Sequence, residues 1–255
     1  MMFRYSLLAA VLNSLLISTA SAEVIVRPPD LQPGDSYRLM FTTAETRDGT
    51  SSDPNVYNAF VQSAADASPE LLALGLEWRA YVGTEERSPA ENAWLEWDEE
   101  DIDAGEPIYL LDGRLIAENN AGFYTGVSDG MLTNSNLDQF GNSIPHSNLV
   151  ISPNEPIVEI PVWTGSGFSG DSSGSLGRAE LPRASIADAG PTAYAFIRGD
   201  AGLKVSTHSN SYPAHFYALS SVITIPVPEP SATMQTLIAL AVLACLRRAR
   251  TGILK

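Results

Sequence analysis

Two apolar runs, one near each end, bracket this chain and confine any folded body to the residues between them. The first occupies residues 7–17, follows a short basic start at Arg4 and runs into Ala20-Ser21-Ala22. A positive lead, a short apolar stretch and a small-residue cut site have the form of a secretory signal peptide. Residues 1–22 are therefore expected to be removed, with Ala20 and Ala22 at the cleavage positions and Glu23 as the new N-terminus. The second run, residues 232–246, is 15 residues long. As a helix it would reach about 22 Å, against a hydrocarbon core of roughly 30 Å. Residues 237–246 are apolar on every face, so such a helix belongs in a core or in lipid. Arg247, Arg248 and Arg250 close it. Positive charge stays on the cytoplasmic side, and long arginine side chains snorkel to extend a short span. A signal peptide puts the N-terminus outside and the arginines keep the C-terminus inside, so the two ends predict one orientation. One short transmembrane helix is expected, its hold weakened by Thr233, Gln235 and Thr236.

What lies between must fold on packing alone. The one cysteine, Cys245, sits in the second apolar run, which leaves the middle without a disulfide or a thiolate metal site. About 200 residues suffice for a single domain with a sizeable core, and no internal repeat or long linker divides them. All 30 acidic residues fall between Glu23 and Glu229, together with 10 of the 15 basic ones, so this portion carries a net charge of about −20. Nucleic acid is excluded as a partner, because binding it takes a basic surface that displaces counterions. An acidic exterior suits a soluble, exported body that does not self-associate.

Just ahead of the second apolar run stands Val227-Pro228-Glu229-Pro230-Ser231. This box, a short hydrophobic helix and a terminal arginine cluster together resemble the PEP-CTERM sorting signal of Gram-negative bacteria. The resemblance implies an exosortase, a membrane-embedded cysteine protease, as partner. Val227, Pro228, Glu229 and Pro230, with Arg247, Arg248 and Arg250, would be the sorting and processing residues. It further implies an inner-membrane-anchored precursor whose folded portion then passes to the cell surface or the extracellular polysaccharide. The chain thus divides into residues 1–22 (signal peptide), 23–225 (extracytoplasmic domain) and 226–255 (sorting tail).

Within 23–225 the pattern predicts α+β architecture: early short helices on a mostly antiparallel sheet with long loops. In residues 36–43, Tyr37, Leu39 and Phe41 alternate with Arg38, Met40 and Thr42, the period of a strand. Asp53-Pro54 reads as a helix cap with proline at the first position, and Val56, Tyr57, Phe60, Val61 and Ala64 then share a face. Ser68-Pro69 repeats the start signal for a helix over 70–74 that Gly75 closes. A strand follows at 77–82. Residues 107–111 and 114–117 read as a hairpin closed by a two-residue Asp112-Gly113 turn. Residues 118–156 are polar and turn-rich and read as loops or short irregular pieces. Strands return at 157–163, 193–197 and, as one long closing strand, 215–225. Helices early and strands late favour α+β over a doubly wound sheet. The segments SYRLMFTTAETRD, YNAFVQSAAD, PIYLLDGRLIAEN, VWTG and HFYALSSVITIPVPEPS resemble a recurrent ectodomain of PEP-CTERM proteins with a C-type-lectin-like, endostatin-like fold. The paired cysteines and sugar-site triplets of true C-type lectins are absent, and Asn154-Glu155-Pro156 has the letters of one in another order. A fold resemblance alone does not confer lectin activity.

Local motifs suggest sharper chemistry. Gly170-Asp171-Ser172-Ser173-Gly174 satisfies G-x-S-x-G, but a nucleophile elbow needs a strand before its serine and a helix after it. Glycines and serines flank it instead. Asp188 or Asp200 with His208 or His215 would complete a triad in the hydrolase order, and His146 is the sole upstream histidine for the trypsin order. Asp98, Glu100, Asp101 and Asp103 form an acidic cluster that offers hard oxygen ligands to calcium, without EF-hand spacing. A solvated charged loop explains the same residues. The histidines are too scattered for a helix-borne zinc pair. Trp78, Trp94, Trp97 and Trp163 belong in a sheet core or on a sugar-stacking surface; Trp94 and Trp97, beside the acidic cluster, are the pair expected at the surface. Arg198-Gly199-Asp200 is a tripeptide that recurs by chance. The reading is an exported, non-enzymatic surface or matrix protein without a resident cofactor. The alternatives are a calcium-assisted glycan-binding module and a secreted serine hydrolase.

Overall fold

Strand β1 (Ser36–Thr42) is buried on both faces, with Leu39, Met40 and Phe41 fully enclosed and Arg38 7 % exposed. Its alternation therefore marks two kinds of interior, not an inside and an outside. The computed structural model describes residues 23–95, 104–125, 135–145, 160–165, 175–178, 183–188 and 206–228. The expected signal peptide, the apolar run 232–246 and the strand at 193–197 lie outside the described residues, and among those described no helix is long and apolar enough to cross a membrane.

The other elements are α1 (Pro54–Asp66), α2 (Pro69–Leu72), β2 (Trp78–Ala80), α3 (Pro89–Asn92), β3 (Ile108–Leu110), β4 (Leu115–Ala117), α4 (Asn120–Thr125), β5 (Pro161–Trp163), β6 (Arg183–Asp188), β7 (Ser206–Ser209), β8 (His215–Ser220) and β9 (Ile223–Thr224). The sheet runs β4-β3-β1-β8-β5-β6-β7, and β2 also pairs with β8. Its strands are mixed: β1 with β3 and β5 with β8 are parallel, while β1 with β8, β2 with β8, β3 with β4, β5 with β6 and β6 with β7 are antiparallel. A mixed sheet with a few short helices is α+β.

Register assigns the two faces, since paired residues and residues two apart point the same way. Leu39 and Phe41 share a face with Trp78, Ala80, Phe216 and Ala218, and α1 covers it. Asp53 caps α1 by accepting from the Asn55 amide at 2.9 Å. Tyr57 stacks on Phe216 with ring centroids 5.1 Å apart, and Phe41 meets Trp78 at 5.0 Å. The polar side of α1 is used as well. Gln62 Oε1 accepts from Trp78 N (2.8 Å), Asn58 Oδ1 accepts from Ala80 N (3.0 Å), and Asn92 of α3 donates to Ala80 O (2.8 Å). These amides satisfy the edge of β2 as a neighbouring strand would.

The opposite face carries Met40, Ile108, Leu110, Val162, Tyr217 and Leu219, closed by Ala93, Leu95, Ile116, Phe123, Leu137, Ile144 and Ile160. Its cover is irregular, and much of it comes from residues 118–156, where the sequence suggests loops or short irregular pieces. There α4 contributes Phe123. The turn around Asp138, whose carboxylate accepts from the Phe140 and Asn142 amides at 2.9 Å, supplies Leu137 on one side and Ile144 on the other.

Three other expectations need correction. The β3–β4 connection is a three-residue loop: Gly113 N donates to Leu110 O (3.0 Å), Leu110 N donates to Arg114 O (2.9 Å), and only Gly113, at φ +81°, is left-handed. The closing strand breaks at Ser221 and Val222 into β8 and β9, and β6 and β7, with few apolar residues, are added to the sheet. The helix expected over 70–74 is Pro69–Leu72, one turn long.

Residues 31–35 and 224–228 form a second unit. In it, Gln32-Pro33-Gly34-Asp35 makes a type II turn, with proline at its second position, Gly34 at φ +98° in its third and Asp35 N donating to Gln32 O at 3.1 Å. The Asp35 carboxylate accepts from Gln32 N at 2.7 Å. Gly34 N then donates to Ile225 O and Ile225 N to Asp35 O, each 2.9 Å, so two residues oppose one in a glycine bulge.

Candidate functional site

Helix α3 places the aromatic residue around which the candidate site is built. Ser88 accepts from Glu91 N at 3.2 Å while the Glu91 carboxylate accepts from Ser88 N at 2.8 Å, a capping box that starts the helix despite its length. The carboxyl of Glu91 is held below its ordinary range by those Ser88 bonds. At the other end, Leu95 N donates to Ala90 O at 2.8 Å and Trp94 lies at φ +57°. This is a Schellman ending in which Trp94 takes the position that glycine usually fills. Among the described residues Trp94 alone is left-handed without being glycine. That conformation costs an L-residue about 1–2 kcal/mol.

Two arginines from the sheet face the indole. Arg79 of β2 sits with its guanidinium 4.0 Å from the ring centroid and pairs with Glu77 at 3.0 Å. Arg38 of β1 lies 5.8 Å from the ring, donates to Ala93 O at 3.4 Å and faces Glu106 at 3.6 Å. Burial pulls the Arg38 pKa below its ordinary value, and Glu106 opposes that pull. The result is an aromatic ring flanked by two arginines, each paired with a carboxylate. Trp94 is partly exposed and engaged by Arg79. Trp97 and the acidic residues Asp98, Glu100, Asp101 and Asp103 lie outside the described residues. Trp78 and Trp163 are core: Trp163 is fully enclosed, and its Nε1 donates to Arg47 O and Tyr212 O, both at 3.2 Å.

The hydrolase residues are not brought together where they are described. His208 is opposite Ala184, four positions along β6 from Asp188, which is about 13 Å. His208 instead packs its ring on Tyr212, centroids 4.2 Å apart. His215 is separated from β6 by β5, and its Nδ1 donates to Thr43 O at 2.6 Å. Burial depresses its pKa below the ordinary 6.5, against the opposing pull of Thr43 O and Glu45. Ser172, Asp200, His146 and the Arg198-Gly199-Asp200 tripeptide lie outside the described residues. Both flanks of the Gly/Ser span tie to one residue, since Gly83 N donates to Thr164 O (2.7 Å) and Leu176 N donates to Gly83 O (2.9 Å). No group of three metal-ligating side chains occurs among the described residues.

Of the processing box, Val227 and Pro228 are described and exposed, Val227 at 66 %, while Ile225 before them is 3 % exposed. Glu229, Pro230 and the arginines Arg247, Arg248 and Arg250 lie outside the described residues, as do Ala20 and Ala22. The arginine and glutamate partners of Trp94 escape a reading of the chain, because Arg38, Glu77, Arg79 and Glu106 are scattered in it; the Ser88-to-Glu91 spacing was the available signal for the helix that carries the tryptophan. No protein-family model matches this chain, and a search of curated proteins returned no match.

Proposed function

We propose that this chain is an exported, non-enzymatic domain of the cell surface or extracellular matrix, delivered through processing of its C-terminal tail by an exosortase-type membrane protease. The observation that carries the reading is a coincidence of position. Among the backbone bonds between described residues, those of Ile225 are the last in the chain, and the exposed Val227-Pro228 stretch opens the box that resembles a sorting signal. A processing site must be accessible to be cut, and the exposure of Val227 and Pro228 supports the reading. The C-type-lectin-like ectodomain resemblance belongs to the same proposal; the mixed sheet with short helices is compatible with it. The test is fractionation of a tagged chain in an exosortase-bearing bacterium and in its exosortase deletion. A shortened chain at the surface or in the medium in the first, and a full-length membrane-bound chain in the second, are expected. Identical fractions in both would end the reading.

A second reading, a glycan-binding module, is favoured by Trp94. A bulky residue held in a costly backbone conformation at a surface rim marks sites where position matters more than stability. The partly exposed Arg79–Glu77 pair beside it adds a donor and an acceptor of the kind that sugar hydroxyls take. Retention on the polysaccharide of the host bacterium, lost in Trp94→Ala, is the expected result. Loss on chelation would add calcium and point to Asp98, Glu100, Asp101 and Asp103 as its ligands; retention unchanged by Trp94→Ala would exclude this site.

A further inference from the structure

We propose that the Gln32–Asp35 turn is a clamp that sets where, and how readily, the tail can be cut. This rests on the processing reading above and adds to it a control within the same segment. Proteases take their substrates as extended strands, using the backbone N–H and C=O groups of several residues on either side of the cut bond. Both backbone groups of Ile225 are committed: its carbonyl accepts from Gly34 N and its amide donates to Asp35 O, each 2.9 Å. Its side chain is 3 % exposed. Pro226 and Pro228 have no N–H to offer a further strand, and among the backbone bonds between described residues none lies beyond Ile225. Val227, Pro226 and Pro228 are exposed. The stub from Ile225 to Pro228 is about 10 Å in extended form. A protease cutting after Pro228 meets the clamped residue at the edge of its cleft; one cutting after Pro226 needs it beside the cut bond.

The turn is built to hold. Pro33 presets its first backbone angle, Gly34 supplies φ +98°, and the Asp35 carboxylate takes up the Gln32 amide. A β carbon on Gly34 would sit 3.5 Å from Val227 Cγ2, an ordinary contact, so a side chain there acts on the clamp through backbone strain and not through overlap.

The test uses the full-length chain in detergent and a post-proline endoprotease, with the new C-termini identified by mass spectrometry. In the parent chain, cutting after Pro228 is expected to outrun cutting after Pro226 by about tenfold, the equivalent of 1.4 kcal/mol. In Gly34→Val the two sites should be cut at similar rates. A second variant, with Gly-Ser-Gly-Ser inserted between Ile225 and Pro226, leaves the clamp intact and should open both sites equally, which guards against misfolding of the first. Equal cutting at Pro226 and Pro228 in the parent chain overturns the clamp. A second arm measures release in the exosortase-bearing bacterium, where both variants should be processed several-fold faster than the parent. Failure of the parent to be processed there counts against the sorting proposal and leaves the clamp to be judged by the first arm; processing at one rate in all three chains counts against the clamp's control of sorting.

Discussion

The two faces of the sheet are closed by different means. One is covered by α1, a regular helix whose buried residues Tyr57, Val61, Ala64 and Ala65 recur at helical spacing and whose Tyr57 stacks on Phe216 of β8. The other is covered by one-turn helices, a hairpin and a polar turn, each giving one or two apolar residues such as Leu95, Phe123, Leu137 and Ile144. A continuous helix spreads the entropy of ordering over many contacts, whereas an irregular cover relies on local hydrogen bonds to fix every piece. The candidate site sits at the rim of the irregular face, where one residue can take an awkward conformation without disturbing a long element.

The contrast is open to direct attack. Trp163→Ala, beneath the regular face, removes a fully enclosed indole and its two hydrogen bonds and should cost about 4 kcal/mol in urea unfolding. A loss under about 1 kcal/mol would show that this side is not the tightly packed one. Next comes Asn92→Ala, which strands Ala80 O and breaks the amide pair with Asn58, in which Asn58 Nδ2 donates to Asn92 Oδ1 at 3.0 Å. The expected cost is about 2–3 kcal/mol, the desolvation of polar groups left buried. If Asn92→Ala were neutral, side-chain amides would not be what satisfies the β2 edge.

On the irregular face, His215 makes stability depend on pH. Its folded pKa lies below the unfolded 6.5, so the unfolded chain binds the proton more readily. Stability is thus full above about pH 6.5 and declines as pH falls toward the folded pKa. His215→Gln should flatten that part of a Tm-versus-pH curve; an unchanged slope would assign the dependence to other groups. The smallest effect is expected from Trp94→Gly, which relieves a left-handed backbone worth about 1 kcal/mol and forfeits an Arg79–indole contact of about the same size. Tm should move little, while the glycan-binding proposal requires retention on polysaccharide to vanish. A large destabilisation would make Trp94 a structural plug.

The same contrast explains what could be read from the chain. Asp53-Pro54 and the spacing behind it announce α1 because cap, proline and periodicity agree. The irregular face has no period to detect: Phe123, Leu137 and Ile144 are single apolar residues in polar surroundings, and only the Asp138–Gly141 turn hints that they are held. Strands β6 (RASIAD) and β7 (STHS) are too polar to stand out. The Asp112-Gly113 hairpin is legible as a reversal but not in loop length, because one left-handed glycine serves a two- or a three-residue loop. Trp94 is visible as an aromatic near acidic residues. Its left-handed backbone and its arginine partners are tertiary facts that spacing does not carry.

The central claim, export with removal of both end segments, is tested most directly by intact mass spectrometry of the chain recovered from an exosortase-bearing bacterium. The account predicts a species beginning at Glu23 and ending within residues 227–230, found outside the cytoplasm. A chain recovered from the cytoplasm with residues 1–22 and 231–255 still attached would contradict it.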